Sequence, residues 1–196
     1  MSDLVTVITA TGYLGLFTVV FAESGLFFGF FLPGDSLLFT VGLLASQEVF
    51  DILLIVVFLS IAAVTGDSVG YAFGRRIGPK LFSRPESRFF KPSHVVRANE
   101  FFMNHGKKSI FLARFLPIVR TFVPIVAGVA GMPYRDFLLF NVVGGISWVA
   151  SMTLFGYVLG SYIPNAETYL YRAVALIIIV SFLPVLFHAR GSRPKK

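Results

Sequence analysis

The chain contains no cysteine, which removes disulfide frameworks, thiolate nucleophiles, iron–sulfur clusters and thiolate zinc sites from consideration. Charge is also scarce: 14% of the 196 residues are charged, against about 25% in soluble domains. Absent too are a Walker loop, a Ser/His/Asp set and a phosphatase-like histidine cluster, so an enzyme is not expected. His94, Glu100 and His105 match no ligand spacing, and neither a metal nor a cofactor is expected. What is present is apolar: 56% hydrophobic residues, 16% aromatic, and a mean hydropathy of +0.79. Runs of membrane-crossing length recur, which excludes a soluble globular protein, and the length suits one domain spanning 1–196.

The first 74 residues lack any lysine or arginine. They carry six acids (Asp3, Glu23, Asp35, Glu48, Asp51 and Asp67), whereas residues 75–196 hold all 17 bases and the other four acids. The two parts are therefore −6 and +13, which the overall +7 conceals. Nine bases crowd residues 75–108 and four more the tail 189–196. Beside apolar spans, such blocks mark the cytoplasmic face. No nucleic-acid motif accompanies them, so nucleic acid is not an expected partner. Without a positive n-region, the N-terminus reads as mature sequence.

Six apolar segments stand out, at about 4–22, 24–46, 52–74, 109–131, 134–160 and 168–188. Four are plausible full spans. Segment 24–46 is interrupted by Pro33-Gly34-Asp35, and 109–131 contains Arg114, Pro117, Arg120 and Pro124, a costly composition for a lipid-exposed helix. If all six crossed, the two basic blocks would lie on opposite faces. If 109–131 enters and leaves on one side, both blocks share the cytoplasm, as the positive-inside rule asks. Phe31-Leu32-Pro33 recurs as Phe115-Leu116-Pro117, with Gly42 and Gly128 following at comparable distances. The expected fold is thus all-α and integral to the membrane. It has an inverted repeat, two opposed re-entrant helical hairpins whose tips meet near the midplane, about four full transmembrane helices, and cytoplasmic N- and C-termini.

Glu23, Asp35, Arg114 and Arg120 belong to these hairpins. Left unpaired in lipid, the four would cost on the order of 10 kcal/mol, so they must face each other, water or a ligand. Arginine's planar fork suits phosphate, and it keeps its charge when desolvated. Buried carboxylates beside arginines are candidates for proton uptake, since burial disfavours their charge and arginine favours it. The expected site pairs Arg114 and Arg120, as phosphate ligands, with Glu23 and Asp35, as proton-coupling or ion-pair groups. The other reading of the same four is a permanent clasp between hairpins. Pro33, Gly34 and Pro117 shape the breaks. Asp67 lies two turns before Arg75 and is expected to pair with it at the cytoplasmic boundary. Gly66, Gly70 and Gly74 make a smooth face for close packing, and Gly156 and Gly160 form another small-residue pair. Asn141, Gly144, Gly145 and Trp148 read mostly as packing, with Asn141 a polar contact. In the basic loop, Ser93 and Gly106 frame an interfacial helix over about 94–105.

Glu23, the stretch Phe31-Leu32-Pro33-Gly34-Asp35-Ser36, the run from Gly66-Asp67 to Gly74-Arg75, and Ala113 to Phe122 together resemble the bacterial DedA family, also described as VTT or SNARE-associated domain proteins. Ala127-Gly128, Met132, Tyr134-Arg135, Phe137, Asn141, Gly144 and Trp148 extend the likeness to about residues 10–190. The resemblance implies opposed re-entrant hairpins, kinship to eukaryotic lipid scramblases, and a place in the bacterial cell membrane. It also implies recycling of undecaprenyl phosphate, phospholipid movement or proton-dependent envelope homeostasis, with the functional acids and arginines falling on Glu23, Asp35, Arg114 and Arg120. The expected function is a flippase-like lipid-phosphate translocase acting on a polyprenyl phosphate, driven by the proton motive force. Membrane lipids and protons are the expected partners, and a homo-oligomer is open. A broad phospholipid scramblase, a proton-coupled small-solute transporter and a structural membrane scaffold are the competing readings.

Overall fold

A computed structural model describes residues 2–25, 34–82 and 108–162. These residues form six helices: α1 (Ser2–Gly25), α2 (Gly34–Ser46), α3 (Ile52–Phe82), α4 (Lys108–Ala113), α5 (Pro117–Val129) and α6 (Tyr134–Tyr162), with no strand among them. Ile52–Ile77 and Tyr134–Tyr162 are long and apolar enough to cross a membrane, with mean hydropathies of 2.3 and 1.7. They coincide with the spans expected at 52–74 and 134–160. α1 covers segment 4–22, and its 24 residues rise about 36 Å at 1.5 Å each. By contrast α5, with described residues on both sides, has 13 residues, about 20 Å, well short of a hydrocarbon core of about 30 Å, and the described part of α2 is also 13 residues. Segment 168–188, the helix expected at 94–105, Pro33 and the basic tail lie outside the described residues. α3 continues to Phe82, so the segment read as a loop from residue 75 begins as helix.

The breaks follow from backbone chemistry. Between α4 and α5 the chain turns at 114–116, where the Arg114, Phe115 and Leu116 amides donate to the carbonyls of Phe111, Leu112 and Ala113. Leu116 is extended (φ −109°, ψ 106°), as a residue before proline is driven to be, and α5 begins with Pro117, at a position whose N–H would have no partner within the helix. The far ends of α2 and α5 are alike. At the end of α2 the amides of Val49 and Glu48 donate to Leu44 and Ala45, and at the end of α5 those of Met132 and Gly131 donate to Ala127 and Gly128. Both are Schellman closures around a left-handed residue, Glu48 (φ 61°) in one and Gly131 (φ 72°) in the other. A long helix follows each. Asp51 starts α3 by accepting from the Leu54 amide at 2.9 Å, and Pro133 starts α6 with its carbonyl accepting from Asp136 and Phe137.

The short helices pack crosswise: α2 lies on α6, and α5 lies on α3, while α1 packs on α3 and α4 on α6. Glycine makes both crossings possible. A Cβ on Gly42 would overlap the Thr153 carbonyl, and one on Gly156 the Phe39 carbonyl. In the same way, a Cβ on Gly128 would overlap the Tyr71 carbonyl, and one on Gly74 that of Ile125. Gly25 and Gly66 likewise let α1 and α3 approach closely, since a Cβ on Gly66 would lie 2.6 Å from the Phe21 carbonyl. The small-residue faces read from the sequence are therefore helix–helix contacts, as they are in membrane bundles.

Charged side chains are buried while apolar ones are exposed on the two long spans. Glu23, Asp67, Arg114, Arg120, Asn141 and Thr153 are buried, whereas Leu53, Leu54, Val57 and Ile61 of α3 and Leu139, Val143, Ile146 and Val158 of α6 are exposed. Exposed apolar faces with charges buried among the helices suit lipid as the surrounding solvent. Among the described residues the apolar core lies in two clusters. One, including Val20, Leu38, Val41, Ile55, Leu59, Trp148 and Val149, joins α1, α2, α3 and α6; the other, including Tyr71, Ile110, Ala127 and Phe137, joins α3 to α4, α5 and α6.

Candidate functional site: a buried charge cluster

Arg120 sits one turn into α5, where the Pro117 break aims its side chain at the start of α2 and the end of α1. Its Nε donates to Glu23 Oε1 at 3.0 Å, its Nη2 also reaches that oxygen, and its Nη1 donates to Asp35 Oδ1 at 2.5 Å. Side-chain exposures of 7% for Arg120, 1% for Glu23 and 34% for Asp35 make Asp35 the one member that looks outward. Glu23 occupies the last turn of α1, whereas the sequence reading assigned it to an expected hairpin. Asp35 is in the first turn of α2, where a negative charge suits the helix dipole. Gly34 is needed between them, because a Cβ there would come within 2.5 Å of Glu23 Oε2.

Trp148 of α6 completes this half of the site. Its indole Nε1 donates to Asp35 Oδ1 at 2.7 Å, and the Arg120 guanidinium lies 4.3 Å from its ring centroid. Asp35 Oδ1 thus accepts from both an arginine and an indole, and Arg120 has anions in its plane and an aromatic face above it.

Arg114 is held differently. It lies in the turn after α4, and its Nη1 forms an ion pair with Asp67 Oδ2 of α3, both side chains being buried. This corrects the expectation that Asp67 would pair with Arg75, whose Nη1 instead donates to the Tyr71 hydroxyl at 2.9 Å. Two turns along one helix made Arg75 the obvious partner, but Asp67 faces the bundle interior whereas Arg75 is exposed. Asn141 makes the polar contact expected of it, donating to the Val64 carbonyl at 3.1 Å. Gly145 leaves room for the guanidinium, since a Cβ there would lie 2.9 Å from Arg114 Nη2. Arg114 is 5.8 Å from the Trp148 centroid, so one indole lies near both arginines.

Several polar atoms here lack a hydrogen-bond partner: Arg114 Nε and Nη2, Asp67 Oδ1, Glu23 Oε2 and Asn141 Oδ1. Three carboxylates meet two guanidiniums, not the balanced two and two read from the sequence. Among the described residues no group of His, Cys, Asp and Glu is arranged to hold a metal ion. The donor set, two guanidiniums with N–H groups in forked geometry, is chemistry for an anion with several oxygens.

The model of the VTT domain matches residues 32–158, a stretch that takes in Asp35, Asp67, both arginines and Trp148. Protein DedA of Escherichia coli K12 is 46% identical over 186 residues, covering 92% of this chain and 84% of that protein. The chain belongs to the DedA family of membrane proteins. An uncharacterized membrane protein of Mycobacterium leprae is also 46% identical, covering 87% of this chain and 76% of its own length. Inner membrane protein YghB of Escherichia coli K12 is 35% identical, covering 94% of this chain and 82% of its own. No solved structure matches. In this DedA-family chain, sequence reasoning missed two features of the cluster: the indole of Trp148 as a donor to Asp35, and Asp67 as the partner of Arg114. Trp148 is the only tryptophan, on a span opposite two arginines, and that was the signal available.

Proposed function

We propose that this protein is a lipid-phosphate translocase of the bacterial inner membrane and not an enzyme. It would move a polyprenyl phosphate, undecaprenyl phosphate in the first instance, across the bilayer with proton coupling. The observation that carries this reading is the cluster itself: five ionisable side chains from α1, α2, α3, α5 and the turn before α5 converge inside a molecule with an apolar exterior. Ionisable groups at such depth are expensive and mark substrate or proton paths. A phosphomonoester carries about −1.5 to −2 charges at neutral pH, enough to engage two arginines while its tail stays in lipid. Arg114 keeps two buried N–H-bearing atoms without a partner, so a phosphate that enters the cluster finds donors there. Protonation of Glu23 or Asp35 frees Arg120 to join it, and loss of that proton on the other side restores the ion pairs and expels the phosphate.

The short α2 and α5, their matching ends and their crosswise glycine contacts support two opposed re-entrant hairpins related as an inverted repeat, in a multi-pass protein with both termini cytoplasmic. Because the chain has no native cysteine, single cysteines placed at positions 106 and 133 test this. Both are expected to label from the cytoplasm; labelling from opposite faces would make 109–131 a crossing segment.

The transport reading is tested with purified protein in liposomes offered polyprenyl phosphate and ordinary phospholipids in parallel. Selective transfer of the polyprenyl phosphate, responding to external pH and made insensitive to it by Asp35→Asn, is expected. Equal transfer of all lipids would favour a scramblase. No transfer of any lipid by folded protein would leave the small-solute and scaffold readings.

A further inference from the structure

On the surface between α3 and the start of α6 lies a second cationic feature, separate from the buried cluster. A cleft of about 640 Å³ is lined by Ser68, Tyr71, Ala72, Arg75, Arg76 and Tyr134. Its polar groups are ordered by one another: the Tyr71 hydroxyl donates to the Met132 carbonyl and accepts from Arg75 Nη1 at 2.9 Å, while the Tyr134 hydroxyl donates to Ser68 Oγ at 3.3 Å. Tyr71 is itself fixed by stacking on Phe137, with ring centroids 4.6 Å apart. Arg75 and Arg76 are both exposed, and among the described residues no carboxylate pairs with either.

Position decides what such a cleft would hold. The apolar part of α3 ends at Ile77, which places Arg75 and Arg76 in the last turn of the span, at headgroup depth. Val69, Phe73 and Arg76 follow at intervals of four and three residues and so share one face of α3, and both apolar members are exposed. An acyl chain lying along Val69 and Phe73 would bring its headgroup to the guanidiniums. We propose that this cleft seats the phosphodiester headgroup of an anionic glycerophospholipid from the leaflet facing the chain's basic residues. The lipid is a resident ligand, bound whether or not the central cluster is occupied.

The experiment uses the full-length protein in nanodiscs of phosphatidylcholine doped with phosphatidylglycerol, with retained lipid counted by native mass spectrometry. Wild type is expected to retain phosphatidylglycerol selectively. Arg75→Gln/Arg76→Gln is expected to hold it roughly 25-fold less tightly, at about fivefold for each charge removed. Because Arg75 also holds Tyr71, Arg76→Gln alone, with about a fivefold loss, keeps the test valid if the double variant misfolds. Arg114→Gln/Asp67→Asn should retain the lipid unchanged, which separates this site from the translocation cluster. Equal retention by wild type and Arg76→Gln, loss in the central variant, or displacement by soluble glycerol phosphate at the lipid's own concentration would each overturn the proposal.

Discussion

Arg120 and Arg114 stand six residues apart on either side of one proline, yet they live in opposite circumstances. Arg120 is saturated: Nε and Nη2 meet Glu23, Nη1 meets Asp35, and Trp148 covers its face. Arg114 is held through one nitrogen by Asp67, and its Nε and Nη2 have no partner. The first arginine is built like a clasp and the second like an open hand. A saturated guanidinium takes a new anion only by releasing an old one, whereas a half-engaged one keeps donors for it once the bundle opens a path to that buried position. The same motif thus yields one position suited to switching and one suited to capture, and the difference arises from which helix supplies the acid.

The comparison breaks most visibly if each arginine is removed in turn. Arg120→Ala strands two carboxylates, one fully buried, and should lower stability by about 3–5 kcal/mol, the usual cost of an orphaned buried charge. Arg114→Ala strands only Asp67 and should cost less, with neutralisation of Asp67 to Asn recovering most of it. Thermal unfolding in detergent for the two single variants and for Arg114→Ala/Asp67→Asn measures both. Equal losses would mean that the asymmetry of the two sites has no energetic content. It also follows that Arg114→Ala by itself is a poor judge between carrier and scaffold, because misassembly could come from Asp67 alone.

A smaller effect sharpens the same contrast. Trp148→Phe keeps an aromatic face near both arginines but deletes the Nε1 donor to Asp35, and a hydrogen bond to a charged group is worth about 1.5–3 kcal/mol. The variant should lose stability by about that amount, and combining it with Asp35→Asn should be clearly less than additive, since both act on one bond. Full additivity in a double-mutant cycle would remove the indole from the Arg120 half of the site.

Much of this was legible in the sequence because it rests on rare events. Prolines and arginines inside an apolar run are costly, so the break before Pro117, the spans from 52 and 134, and the coming together of Glu23, Asp35 and Arg120 all follow from composition. Pairing was less legible. Arg75 and Asp67 are neighbours in sequence, while Arg114 reaches Asp67 only because α4 packs on α6 and α6 on α3. The role of Trp148 was hidden for a related reason: an indole on a buried helix face looks like packing until Asp35 is set against its nitrogen. Gly74 and Gly156 were foreseen on small-residue faces and Gly42 and Gly128 only as parts of a repeat, because which helix each meets depends on tertiary arrangement, not on the spacing of glycines.

The central claim is that the cluster is a phosphate site and not only a clasp, and one measurement addresses it most directly. Arg114→Gln/Asp67→Asn removes the capturing arginine together with the acid it would otherwise strand, leaving Arg120, Glu23 and Asp35 in place. Binding of polyprenyl phosphate to the purified protein is followed by native mass spectrometry, beside a thermal unfolding curve. The account predicts near wild-type unfolding with polyprenyl phosphate binding reduced at least about tenfold, in line with the roughly 1.5–3 kcal/mol of a charge-assisted hydrogen bond. A folded double variant that binds polyprenyl phosphate as tightly as wild type would contradict it.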